Sequence, residues 1–218
     1  MVRFLVVYDL SVILPVFNDE SVLMTSFDSI FNQTLGFENI QLIIVDDCSS
    51  DNSQVIIKRL VEKYSNIKYI FLDKNSGSAG KPRNVGINEV DAEYVMFIDC
   101  GDTFSNDMCE RLLYSIKDTG SDLVFGNTKI IFGDDVRYEK ALDKNINVPF
   151  NPMECLEIFK NGGIKSKIFK RKIILDCNIK CLEDMFGEDD FFLLSYLFNS
   201  SKVFVLKDYF GYNDIIPD

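Results

Sequence analysis

From Leu10 to Phe125 the chain alternates short apolar runs with amphipathic stretches, and few folds accommodate that rhythm. Runs at Leu10 to Phe17, Ile40 to Val45, Ile67 to Leu72, Tyr94 to Ile98 and Leu123 to Phe125 have the near-continuous hydrophobicity of strands buried on both faces. The intervening segments repeat at helical spacing: Leu23, Phe27, Ile30 and Phe31; then Ile56, Ile57, Leu60, Val61 and Tyr64; then Cys109, Leu112, Leu113 and Ile116. Such alternation predicts an α/β fold with right-handed crossovers and a Rossmann-like, mostly parallel central sheet with flanking helices. Ligands are then expected at the carboxyl ends of the strands.

Two of those strand ends are acidic. Ile43-Ile44-Val45 runs into Asp46-Asp47-Cys48-Ser49-Ser50-Asp51, and Phe97-Ile98 into Asp99-Cys100-Gly101-Asp102. A single cluster of this kind is accounted for by turns and helix capping, which Asp and Ser do well. Its recurrence favours an acidic cleft. After Asn127 the rhythm changes, and residues 127–218 read as a smaller second half packed on residues 1–126. There Lys129 to Phe132 reads as a short strand, Gly133-Asp134-Asp135 as a turn, and Asp143 to Asn151 as an irregular loop. A helix is expected from Pro152 to Asn161, closed by Gly162-Gly163, and another from about Asp189 to Asn199 with Phe192, Leu193, Tyr196 and Leu197 inward. A strand at Val203 to Leu206 is followed closely by Ile216-Pro217-Asp218, which suggests a piece of a longer protein.

The charge balance narrows the function classes. Lys and Arg number 23 against 34 Asp and Glu, a net charge of −11, the wrong field for a nucleic-acid binder. A bound divalent cation would still reconcile that acidity with a phosphate ligand. The apolar start, Met1 to Tyr8, lacks a small-residue cleavage site, and no run is long enough to span a bilayer. The expected location is the cytoplasm, and peripheral association at the inner face of the membrane stays open. Cys48, Cys100, Cys109, Cys155, Cys177 and Cys181 show no C-x-x-C spacing and are read as reduced thiols. Because the chain has no histidine, Ser/His and Cys/His nucleophile systems are excluded, and proton transfer falls to Asp, Glu, Lys, Tyr or Cys.

Five segments now stand in order: Ser11 to Asn18, Val45 to Asp51, Asn75 to Gly86, Phe97 to Asp102, and Gly187-Glu188-Asp189-Asp190-Phe191-Phe192. Together they resemble the family 2 inverting glycosyltransferases, enzymes of GT-A fold that use nucleotide-diphosphate sugars, over residues 10 to about 212. The resemblance implies that Asp47 accepts from a uracil imide N–H, with Asp46 in support. Pro15, Val16 and Phe17 would line the base pocket, although strand termination and core packing explain Pro15 and Phe17 equally. In the glycine-rich loop Lys81 and Arg83 precede an apolar helix, an arrangement suited to a diphosphate. Where the family usually has Ala-Arg-Asn-x-Gly this chain has Pro82-Arg83-Asn84-Val85-Gly86, similar to the subset acting on wall teichoic acid and other cell-surface polymers.

The fourth segment corresponds to the family's Asp-x-Asp, which holds Mn²⁺ or Mg²⁺ against the diphosphate. Here Gly101 stands where a metal-binding Asp is often found. Three outcomes stay open: Asp102 or Asp99 holds the metal with water in the gap, the metal is bound weakly, or the site is impaired. Asp99 is also expected near the ribose or sugar hydroxyls, and Cys100 as a packing residue. By resemblance Asp189 is the base and Glu188 contacts the donor sugar or orients its loop, with Asp190 the competing base; all three also suit a helix N-terminus. Lys167, in Lys167-Ile168-Phe169-Lys170-Arg171, either meets an anionic group or belongs to a solvated basic turn.

The function implied is transfer of a sugar from a UDP-sugar to a hydroxyl of a cell-surface glycan or polymer. The alternative is a nucleotide-sugar binder whose activity is weak or lost through Gly101. A third class, a nucleotidyltransferase, wants a glycine-rich loop directly after the first strand, where this chain has Phe17-Asn18-Asp19-Glu20.

Overall fold

The computed structural model describes residues 8–132, 135–143, 146–183 and 185–214. The expected signal-free start at Met1–Val7, the Gly133-Asp134 part of the expected turn, Lys144-Asn145 of the expected loop and the terminal Ile216-Pro217-Asp218 lie outside them. Among the described residues β1 (Leu10–Val16), β2 (Ile40–Asp46), β3 (Ile67–Phe71) and β4 (Tyr94–Phe97) alternate with α1 (Leu23–Phe31), α2 (Ser53–Lys63) and α3 (Gly80–Asn88). The order continues with β5 (Asp102–Phe104), α4 (Met108–Thr119), β6 (Leu123–Phe132), β7 (Asp135–Glu139), β8 (Lys167–Lys170), α5 (Arg171–Asp176), α6 (Glu188–Phe198) and β9 (Val203–Asp214).

The strands form one sheet in the order β3-β2-β1-β4-β8-β6-β9-β5, with β7 on β6. β3, β2, β1 and β4 are mutually parallel, as the crossover helices require. β8 enters antiparallel between β4 and β6, and β9 runs parallel to β6. β6 passes through residues 126 and 127, so the two halves of the chain share this sheet.

Strand alternation divides the core. Leu10, Val12, Leu14 and Val16 of β1 face one apolar layer with α1, α2 and α4, while Ile13 faces the other with α3 and α6. In the second layer Phe97, Phe169, Phe192 and Tyr196 meet edge to face, with ring centroids 5.0–5.7 Å apart. The Tyr196 hydroxyl accepts from the Lys170 N–H at 2.9 Å and donates to the Asp122 carbonyl at 2.7 Å. These contacts fix α6, and with it the acidic start of that helix, against β8 and β6.

Several expectations are corrected. The segment Pro152 to Asn161 is two 3₁₀ turns, Pro152–Glu154 and Leu156–Lys160, rather than one helix. Its buried residues, Pro152, Cys155 and Ile158, recur every third position, which suits three residues per turn. Lys129 to Phe132 is the far end of β6, not a separate strand. Lys167-Ile168-Phe169-Lys170 is not a solvated basic turn but a strand in mid-sheet, with Ile168 and Phe169 fully buried.

The start of α3 is pressed against the chain near Leu182. A Cβ on Gly80 would stand 1.8 Å from the Leu182 carbonyl oxygen. Asn84, one turn on, donates to the Cys181 carbonyl at 2.9 Å and accepts from its N–H at 2.8 Å. Gly80→Ala should therefore destabilise by about 1–3 kcal/mol in urea unfolding, despite the better helix propensity of alanine. A neutral or stabilising result would contradict this packing.

Candidate active site

The carboxyl ends of β1, β2 and β4 open into a cavity of about 480 Å³, closed by the loop before α3 and by the start of α6. Two non-glycine residues at those strand ends, Asn18 and Cys48, have φ of 55° and 65°, in the left-handed region. The two loops brace each other. The Asn18 N–H donates to Ser49 Oγ at 2.9 Å, the Ser50 N–H to Asn18 Oδ1 at 2.8 Å, and the Asn52 N–H to a Glu20 carboxylate oxygen at 2.7 Å.

Pro15, Val16, Phe17, Asp47, Arg83, Asp99, Glu188 and Asp189 all line this cavity. Pro15 and Val16 are buried, whereas the Phe17 ring is 46% exposed at the mouth. Asp47 accepts from the Ser76 N–H at 3.0 Å on both oxygens, and from Ser76 Oγ at 2.9 Å and Asn75 Nδ2 at 3.0 Å on Oδ2. Oδ1 thus retains acceptor capacity. Asp46 lies behind, with Oδ1 accepting from the Ser49 N–H at 2.7 Å, and burial raises its carboxyl above the usual range. Lys81 does not reach the cavity; it is exposed and lines a separate groove with Asn178 and Ile179.

Arg83 is the centre of the site. Its side chain is 2% exposed, and it donates to Asp99 Oδ1 at 2.5 Å, to Glu188 Oε1 at 3.3 Å and, in a closer contact, to Asp189 Oδ1. Burial raises the Asp99 carboxyl, but Arg83 and Lys165 outweigh it and hold the group below its ordinary value. Burial pushes the Asp189 carboxyl up to about 6, with Arg83 opposing the shift and Asp99 and Glu188 adding to it. Asp190 points elsewhere, accepting from the Gly163 N–H at 2.8 Å.

Asp189 also lines a second cavity, of about 530 Å³, together with Lys140, Lys160, Lys165 and Lys167. Lys167 is buried, donating to the Gly162 and Lys165 carbonyls at 3.3 and 3.2 Å, and burial lowers its ammonium to about 8.

The expected metal ligands are placed differently from the rest. Asp102 is buried at the start of β5 and is not part of the first cavity's wall. The Lys165 ammonium lies between the two carboxylates, 2.8 Å from Asp102 Oδ2 and 3.3 Å from Asp99 Oδ2. Among the described residues no group of three or more Asp, Glu, Cys or His side chains is assembled for a metal. Burial raises the neighbouring Cys100 thiol, which keeps it protonated. Two carboxylates already bridged by an ammonium, with Gly101 between them in sequence, do not fit a resident divalent ion. Sequence reasoning missed Lys165, since nothing in its spacing distinguishes it from Lys160 or Lys170.

A mostly parallel α/β sheet with its cavity at the carboxyl ends of the strands is the class of fold that binds ligands in such a crevice. The description Glycosyl transferase family 2 matches residues 11–176, and the chain belongs to that family. It is 31% identical over 204 residues to a poly(ribitol-phosphate) beta-glucosyltransferase of Bacillus spizizenii, covering 92% of this chain and 31% of that protein. It is 33% identical over 209 residues to the poly(ribitol-phosphate) beta-N-acetylglucosaminyltransferase TarP of Staphylococcus aureus, covering 91% of this chain and 60% of TarP. The crystal structure of S. aureus TarS 1–349 in complex with UDP-GlcNAc superposes with a TM-score of 0.83 at 25% identity, covering 96% of this chain and 59% of that one. The chain thus spans about a third to three fifths of these relatives. No helix among the described residues is long and apolar enough to cross a membrane.

Arg83→Met leaves three carboxylates facing one another without their guanidinium. It should cost about 3–5 kcal/mol at pH 7.5, the usual penalty for breaking a buried pair. In that variant Asp189, raised by burial already, loses the guanidinium that opposes the shift, so stability returns as pH falls through its folded value. Urea unfolding at pH 7.5 and 5.5 should show the deficit shrinking; a pH-independent deficit would contradict the cluster.

Proposed function

We propose that the chain transfers a sugar from a uridine diphosphate donor to a hydroxyl of an anionic cell-surface polymer, by direct displacement with inversion. The observation that carries this reading is that Asp189 stands on the wall common to both cavities. The first cavity takes the donor. Asp47 Oδ1 accepts from the uracil imide, the exposed Phe17 ring packs on the base, and the start of α3 directs its positive end toward the diphosphate. Glu188 and Asp99 are placed to accept from sugar or ribose hydroxyls.

The second cavity takes the acceptor. Its four lysines outnumber Glu139 and Asp189 in the lining, a local positive balance on a chain of net charge −11 that suits a phosphodiester polymer. The TarS structure named with UDP-GlcNAc and the relatives named for poly(ribitol-phosphate) support both assignments.

In the transfer Asp189 removes the acceptor hydroxyl proton as that oxygen attacks the anomeric carbon from the side opposite the diphosphate. A carboxyl held near 6 by burial is ionised at neutral pH yet basic enough to accept. Its ion pair with Arg83 fixes the direction in which it points.

Asp189→Asn should lower turnover of UDP-N-acetylglucosamine or UDP-glucose by about 10²–10⁴-fold while leaving UDP affinity, by calorimetry, nearly unchanged. Wild-type kcat/KM should fall below a pH of about 6, where Asp189 takes up a proton. Full turnover by the variant moves the base to another group. UDP binding without hydrolysis or transfer of any donor would support a binder instead.

A further inference from the structure

Lys165 is the side chain that the family resemblance leaves unexplained. It comes from the loop before β8, and its ammonium bridges Asp99 and Asp102, 3.3 and 2.8 Å away. Asp99 lines the first cavity and Lys165 the second, so the ammonium lies where the two meet. Ser166 beside it has φ of 52°, and its carbonyl accepts from the Gly126 N–H at 2.8 Å, which fixes the backbone from which Lys165 extends.

Resting on the glycosyltransferase reading, we propose that Lys165 is a built-in cation for the leaving diphosphate, so that this chain turns over its donor without a divalent ion. Three observations converge. Gly101 offers no side-chain oxygen, so Asp99 and Asp102 are the only carboxylates of their segment. Both already share the Lys165 ammonium. Arg83, the cation in the first cavity's wall, is committed to Asp99, Glu188 and Asp189 and cannot follow a moving phosphate. A lysine side chain, by contrast, is long and flexible, and at 39% exposure it can turn from Asp102 toward a phosphate oxygen. As the bond from the anomeric carbon to the phosphate oxygen breaks, its electron pair stays on UDP, and an ammonium brought there stabilises the charge that develops.

The test measures hydrolysis of UDP-N-acetylglucosamine and UDP-glucose and binding of UDP, each with EDTA and with Mn²⁺, for wild type, Lys165→Met and Lys165→Arg. Wild type should hydrolyse donor in EDTA at about the rate found with Mn²⁺. Lys165→Met should lose at least about tenfold in EDTA and recover in part with Mn²⁺, because Asp99 and Asp102 are then released to hold the ion. Lys165→Arg should keep most of the activity. Wild-type hydrolysis that collapses in EDTA and returns with Mn²⁺ overturns the proposal, as does a Lys165→Met chain as active as wild type in EDTA. If Lys165→Met melts early by circular dichroism, the wild-type comparison decides alone, since it needs no variant. Absence of both UDP binding and hydrolysis under every condition brings down the glycosyltransferase reading itself, an outcome distinct from metal dependence.

Discussion

A guanidinium buried to 2% exposure has to be neutralised from within, and Arg83 draws the site together for that reason. Its partners arrive from segments far apart in the chain: Asp99 after β4, Glu188 and Asp189 at the start of α6. Every larger feature of the fold serves to bring those ends together. The parallel strands place Asp99 at the carboxyl edge, α3 carries Arg83 beneath it, and the aromatic contacts of Phe192 and Tyr196 pin α6 so that its acidic turn faces the cavity. Without the cation, three carboxylates would repel; without them, the cation would be stranded in a dry interior.

The same cluster separates neighbouring acids into different roles. Asp99 is held below its ordinary range by Arg83 and Lys165 despite its burial, whereas Asp189 is raised to about 6. Asp190 is spent on the Gly163 N–H. Glu188, Asp189 and Asp190 are adjacent in sequence and indistinguishable by composition, yet their hydrogen-bond partners leave only the middle one facing both cavities.

Much of this was legible in one dimension. Strands buried on both faces announce themselves by unbroken β-branched runs, so Leu10–Val16, Ile40–Asp46 and Tyr94–Phe97 stand close to where the pattern put them. The acids that end those runs mark the cleft for the same reason. β8 was hidden because Lys167-Ile168-Phe169-Lys170 carries lysines at both ends and looks solvated, although it is inserted between β4 and β6 with Lys167 itself buried. The two 3₁₀ turns from Pro152 were hidden because a three-residue spacing is easily read as the start of a helix. Lys165 was hidden more deeply, since its meaning lies in the convergence of Asp99 and Asp102, which only the folded chain displays.

The central claim is that one carboxylate between two cavities performs a single displacement at the anomeric carbon. It is tested most directly by proton NMR of the sugar first released when UDP-α-N-acetylglucosamine or UDP-α-glucose is hydrolysed, read before mutarotation. The account predicts that the β-anomer appears first, since Asp189 activates water on the face opposite the diphosphate. Initial release of the α-anomer would require a second displacement or attack from the other face, and would contradict it.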